Sequence, residues 1–143
     1  MTVIASGVLL YRRTPDGPRL LLLRNRDSAH WGLPKGRRDP EDRHEIDNAL
    51  REVGEETGWS DIQLHPGFRE VVEYVVAGTE DRGKSKRVTY FLAAAPDGEP
   101  TLSPEHSEYL WAGRDELRPY LKYEQLVALA RHALALLTDP AGP

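Results

Sequence analysis

The sequence predicts an α+β chain in which a mixed β-sheet is flanked by helices. Three observations lead there. Strand-like and helix-like stretches mix without a regular strand–helix–strand repeat, which points to a mixed sheet. A run of four leucines, Leu20 to Leu23, stands between arginines and suits a strand buried on both faces. Two amphipathic stretches, one mid-chain and one near the C-terminus, carry apolar stripes at helical spacing.

The elements follow in order. Residues 3–12 are rich in β-branched and aliphatic types and read as a strand. Thr14-Pro15-Asp16-Gly17-Pro18 is a turn signal, so this strand and the leucine run form a hairpin. Residues 25–41 lack apolar periodicity and contain Gly32, Pro34, Gly36 and Pro40, the mark of a long functional loop. A helix follows, started by Asp42 with Glu45 as a capping box, or by Asp39 before Pro40. Ile46, Ala49, Leu50 and Val53 form its buried stripe, and Gly58 ends it as a left-handed cap. Residues 68–77 and 87–95 read as strands around the polar segment 78–86. In the second of these strands Val88, Tyr90 and Leu92 share one face and Thr89 and Phe91 the other. Residues 108–112 form a short strand, and 123–137 an amphipathic helix. Residues 1–138 are thus expected to form one domain, with 139–143 a frayed tail.

Composition narrows the function. The chain has 143 residues, enough to bury a core without staples, and no cysteine, so disulfides and thiolate metal sites are excluded. A cysteine-free chain with no signal-peptide pattern and no apolar run of roughly 18 residues is expected to be cytoplasmic and to have no membrane partner. The net charge of -4 argues against a general nucleic-acid binder, yet leaves room for a local basic pocket facing a phosphorylated substrate.

The chemistry concentrates in the central helix. Glu52, Glu55 and Glu56 lie at i, i+3 and i+4, on one helical face, with Glu45 in the same sector. Like charges at these spacings cost about 0.2–0.5 kcal/mol per pair, and a hard divalent cation with oxygen ligands is the simplest compensation.

Arg51-Glu52-Val53-x-Glu55-Glu56-x-Gly58-Trp59 resembles the second half of the Nudix hydrolase signature. The first half departs from it. Gly36 lies one residue further from Arg51 than the pattern allows, so the position of the first glutamate falls on Arg43, and a one-residue insertion would pass its role to Glu41 or Asp42. The resemblance implies a Nudix fold, an α/β/α sandwich, and a hydrolase dependent on Mg²⁺ or Mn²⁺. Gly36, Glu52, Glu55 and Glu56 would form the metal site, and Arg51 would orient a glutamate. Water must attack a phosphorus ringed by negative oxygens, and either Glu105 or a helix glutamate is the general base.

Within the family the chain is most similar to the asymmetric diadenosine tetraphosphate hydrolases. The shared features are His30-Trp31 ahead of Pro34-Lys35-Gly36, the run from Lys86 to Ala93, and the stretch from Leu102 to Trp111. The resemblance places His30 and Lys35 near the phosphates, Lys86 on the later strand, Tyr90 on a base, and Glu105 on a distal loop. Arg82, Lys84, Lys86 and Arg87 form a basic cluster suited to the far phosphates of a long polyphosphate. The expected partner is therefore a small-molecule polyphosphate, foremost a dinucleoside polyphosphate. The alternatives are a diphosphoinositol polyphosphate phosphohydrolase and a Nudix-fold domain that binds without catalysis. The sequence does not specify an oligomeric state.

Overall fold

The computed structural model describes residues 2–76 and 83–138. The order of elements is β1 (Thr2–Thr14), β2 (Gly17–Asn25), β3 (Trp31–Gly32), β4 (Lys35–Arg37), α1 (Glu45–Thr57), β5 (Glu70–Val75), β6 (Ser85–Ala94), β7 (His106–Ala112) and α2 (Glu124–Thr138). Arg82 and the expected tail 139–143 lie outside the described residues.

The sheet is mixed, as the absence of a βαβ repeat implies. β1 and β6 run parallel over ten residues, from Thr2↔Ser85 to Tyr11↔Ala94. β1–β2, β5–β6 and β2–β7 are antiparallel. β1 also forks. Its C-terminal half pairs with β2, whereas Ala5, Ser6 and Gly7 pair with β4. The fork brings the segment between β2 and α1 against the N-terminal half of β1. The loop between β2 and α1 is therefore not irregular throughout, because residues 31–32 and 35–37 are drawn into the sheet as β3 and β4.

Side-chain alternation divides the core into two layers. Leu20 and Leu22 face one side with Leu9, Val88, Tyr90 and Leu92, beneath α2. Leu21 and Leu23 face the other with Val8, Leu10, Phe91 and Ala93, beneath Ala49 and Val53 of α1. All four leucines are buried, so the leucine run is a strand covered on both faces and the molecule is an α/β/α sandwich.

The helix α1 ends as expected. Gly58 adopts φ 77°, and its N–H donates to the Gly54 carbonyl at 2.9 Å. The start differs. The cap is His44, whose Nδ1 accepts from the Ile46 N–H at 3.1 Å, not Asp42 or Asp39. Asp42 is diverted because its carboxylate already accepts from the Arg51 guanidinium and from the Asp39 N–H.

Candidate active site

Arg51 organises the carboxylates. Its guanidinium donates to Asp42 Oδ1 at 3.2 Å and Oδ2 at 3.0 Å, to Glu52 Oε1 at 2.9 Å, to Glu55 Oε2 at 2.6 Å and to the Arg37 carbonyl at 2.9 Å. These bonds join the loop after β4 to one face of α1. Of the two acids beside the extra residue, Asp42 is only 6% exposed and lies against Arg51, while Glu41 is exposed. The Arg51 hydrogen bonds hold the Asp42 carboxyl below the usual range, against the opposing effect of burial.

Gly36 sits where only hydrogen fits. A Cβ at this position would overlap the Glu52 carboxylate. Buried Asn48 fixes the same strand by donating from Nδ2 to the Gly36 and Arg37 carbonyls, each at 3.2 Å. Gly36 and the Glu52 carboxylate are therefore in direct contact, one on β4 and the other on α1.

The remaining carboxylates differ in their surroundings. Glu55 is exposed and is bonded to Arg51. Burial raises the Glu52 carboxyl above its ordinary value, with Arg51 opposing. Glu56 is 5% exposed, and its Oε2 is buried without a hydrogen-bond partner. Burial pushes its carboxyl up to about 8; neighbouring Glu52 adds to this, and Lys35 opposes it. Glu105 shares a cleft with Glu52, Glu55, Glu56, Lys35 and Gly36, so its carboxylate adds negative charge opposite the helix. The Glu105 loop is braced by Arg26, whose Nε donates to the Pro104 carbonyl and whose N–H donates to the Glu105 carbonyl. Glu45, expected in the same sector, pairs instead with Arg69.

These residues fit a hard divalent cation. Every candidate donor is an oxygen, and Glu56 Oε2 is a buried acceptor with nothing donating to it. Burial and like charge raise Glu52 and Glu56, which a cation would reverse. Among the described residues no three acidic or imidazole groups already stand at ligand spacing, because Arg51 spans Glu52 and Glu55.

Glu56 and Lys35 also line a second, adjoining cleft of about 240 Å³ with His30, Lys86, Tyr74 and Tyr123. Here two expectations are corrected. Tyr90 is not a base platform: it is 0% exposed in the core, with its ring beside Gly7 and its hydroxyl unpartnered. The aromatic pair in the cleft is Tyr74 and Tyr123, with ring centroids 4.4 Å apart at 30°. Tyr74 is placed there by register, since it pairs with Lys86 across β5 and β6. Arg87 is not in the cleft either. It follows Lys86 by one residue, so it points to the opposite face, where Nε donates to Glu73 at 2.8 Å. Lys84 is not among the lining residues. His106 is a site residue the sequence reading did not single out. Ser103 Oγ and its Nδ1 are 3.3 Å apart, and its Nε2 faces Glu56 Oε1 at 3.6 Å.

The NUDIX domain model matches residues 1–137. The bis(5'-nucleosyl)-tetraphosphatase [asymmetrical] of Rattus norvegicus is 37% identical over 139 residues, covering 90% of each chain. The enzyme of the same name from Caenorhabditis elegans is 33% identical over 142 residues, covering 96% of this chain and 98% of its own. Among solved structures, a C. elegans Ap4A hydrolase binary complex superposes with a TM-score of 0.84 at 29% identity, covering 94% of this chain and 97% of that one.

Proposed function

Because the chain belongs to the Nudix family and is a hydrolase, we propose that it cleaves dinucleoside polyphosphates of the diadenosine tetraphosphate type, releasing a nucleoside triphosphate and a monophosphate. The observation that carries this reading is a pair of adjoining clefts that share Lys35 and Glu56. One holds the carboxylates of α1, and the other holds Lys86 and the Tyr74–Tyr123 pair. A substrate with phosphates in the middle and a flat base at its end matches that order of acid, cation and aromatic groups.

Glu52, Glu55 and Glu56 would hold Mg²⁺ or Mn²⁺ beside Gly36. When bound, the cation neutralises phosphate charge and lowers the pKa of water. Arg51 and Asp42 keep the helix carboxylates and the Gly36 strand in register. Lys35 and Lys86 hold phosphate oxygens, and His30 donates to the chain further along. Glu105, facing the helix from a separate loop, takes the proton from the attacking water. Tyr74 and Tyr123 receive the base. We place the protein in the cytoplasm. The chain has no cysteine, and no helix among the described residues is long and apolar enough to cross a membrane.

The test is turnover with Mg²⁺ or Mn²⁺ on a panel of dinucleoside polyphosphates, inositol pyrophosphates, ADP-ribose and nucleoside triphosphates. Glu56→Gln and Glu105→Gln are run beside the wild type. The expected outcome is kcat/KM about tenfold or more higher on the dinucleoside tetraphosphate than on the other classes, and a loss of about 100-fold or more in each variant. Preference for inositol pyrophosphates would overturn the substrate. Binding without turnover on every member would overturn the catalytic roles.

A further inference from the structure

The cleft holds a cation that the reading above does not use. Lys122 stands in the segment before α2, and its Nζ lies 3.2 Å from His30 Nε2. An ammonium can only donate, so Nε2 is the acceptor and the His30 proton sits on Nδ1. Arg12, Arg19, Arg24, Arg69 and Arg118 each end on a glutamate. Lys122 ends on an imidazole instead. Among the described residues that line the cleft Glu56 is the sole acid, against Lys35, Lys86 and Lys122. In a chain of net charge -4 the described lining beside the aromatic pair thus carries more positive than negative groups.

The contact is built from both sides. Leu121, 3% exposed, anchors the segment next to Lys122, and Tyr120 meets Trp31 edge-on with centroids 5.2 Å apart. On the other side Asn25 Oδ1 accepts from the Asp27 and Ser28 N–H groups, at 3.0 and 2.9 Å. Ala29 then takes φ 63°, in the left-handed region that a Cβ disfavours, immediately before His30. Such a conformation persists where the surroundings enforce it, and here it delivers the imidazole to Lys122.

We propose that Lys122, held on His30 and joined in sequence to Tyr123, binds the phosphate nearest the stacked base. The inference rests on the proposed polyphosphate substrate. Lys35 and Lys86 approach from β4 and β6, whereas Lys122 approaches from the α2 side, so the three lysines grip a flexible chain from two walls. The aromatic contact of Tyr123 and the ionic contact of Lys122 come from adjacent residues, about 3.8 Å apart at Cα, which fits a nucleoside and its own first phosphate. The base and that phosphate would thus be read by one short segment of chain.

The test compares Lys122→Met and Lys122→Arg with wild type in two assays. In the first, binding of inorganic tripolyphosphate is measured by calorimetry in the presence of chelator, so no turnover is involved. Wild type and Lys122→Arg are expected to bind within about threefold of each other, and Lys122→Met about tenfold more weakly. The gap should narrow as salt is raised. In wild type the His30 ring ¹⁵N signals should also move on adding tripolyphosphate, as Lys122 leaves Nε2 for the anion. In the second assay, Lys122→Met should raise KM about tenfold on dinucleoside polyphosphates, with kcat within about twofold. Tripolyphosphate affinity equal in wild type and Lys122→Met, or absent in wild type, would overturn the role of Lys122. Tripolyphosphate binding that depends on Lys122, without hydrolysis of any dinucleoside polyphosphate, would keep this site and overturn the substrate instead.

Discussion

The two adjoining clefts are built in opposite ways. At the carboxylate end Arg51 bonds Asp42, Glu52, Glu55 and a backbone carbonyl, and Gly36 leaves no room for a methyl beside Glu52. At the aromatic end Tyr74 rides on the edge strand β5 and Tyr123 on the approach to α2, and their rings meet each other and the core beneath them. Chemistry at phosphorus needs donors held within a fraction of an ångström, because misplacement loses the alignment that makes attack unimolecular. Recognition of a flat base tolerates more latitude, since stacking has a broad optimum. On the proposed function, the dense hydrogen bonding of Arg51 serves the reacting atoms and the ring contact serves the base.

That contrast can be broken first at Gly36. Gly36→Ala forces a Cβ into the Glu52 carboxylate and should lower kcat/KM by about 100-fold or more, with little change in KM. Steady-state kinetics with thermal melts as a folding control decide this, and near-normal kcat would show that the carboxylate end is less rigid than its contacts imply. Asp42→Ala should come next. It strips the part-buried Arg51 guanidinium of its most enclosed partner and should destabilise the fold by about 3 kcal/mol in urea unfolding.

Glu56 gives a test with a sign. Its carboxyl is raised to about 8 in the folded protein from an ordinary 4.5, so the folded state binds that proton more tightly than the unfolded one. The stability this confers is complete below about 4.5 and is lost as pH rises through about 8. In chelator the melting temperature should therefore fall across this window, and Glu56→Gln should flatten the fall by several degrees. Mg²⁺ or Mn²⁺ should raise the wild-type melt at high pH and not that of the variant. A parallel fall in both proteins would remove Glu56 from the explanation.

The aromatic end should respond more gently. Tyr74→Ala is expected to raise KM for a dinucleoside polyphosphate about tenfold with kcat nearly unchanged, since it removes binding energy shared by ground and transition states. Smallest of all is Tyr90→Phe. The hydroxyl is buried without a partner, so its removal should leave KM alone and change stability by no more than about 1 kcal/mol, toward stabilisation. A tenfold rise in KM in that variant would return Tyr90 to the substrate site.

Much of the carboxylate end could be read from sequence because it is local. Ile46, Ala49, Leu50 and Val53, the spacing of Glu52, Glu55 and Glu56, and the stop at Gly58 all lie within one helix, where period alone decides which side chains meet. The double burial of Leu20 to Leu23 was legible for the same reason. The cap was not. Asp42 suited it by type, but Arg51 nine residues on competed for the same carboxylate and won. The aromatic pair of the cleft was not legible, because Tyr74 and Tyr90 are equivalent in sequence and differ only in register. Tyr74 stands on an edge strand opposite Lys86, whereas Tyr90 stands mid-sheet against Gly7. Nothing short of tertiary structure brings Lys122 to His30.

The fork of β1 also bears on how the molecule comes together. Asp42, Arg51 and the helix glutamates dock on β1 and β4 within residues 2–57, so their loops are short to close. The Lys122–His30 contact closes a separation of 92 residues, and the parallel pairing of β1 with β6 must bridge nearly as much. A chain folded only as far as α1 thus holds Arg51 and its carboxylates but neither Glu105 nor Lys122 and Tyr123, and each cleft is completed from beyond β6.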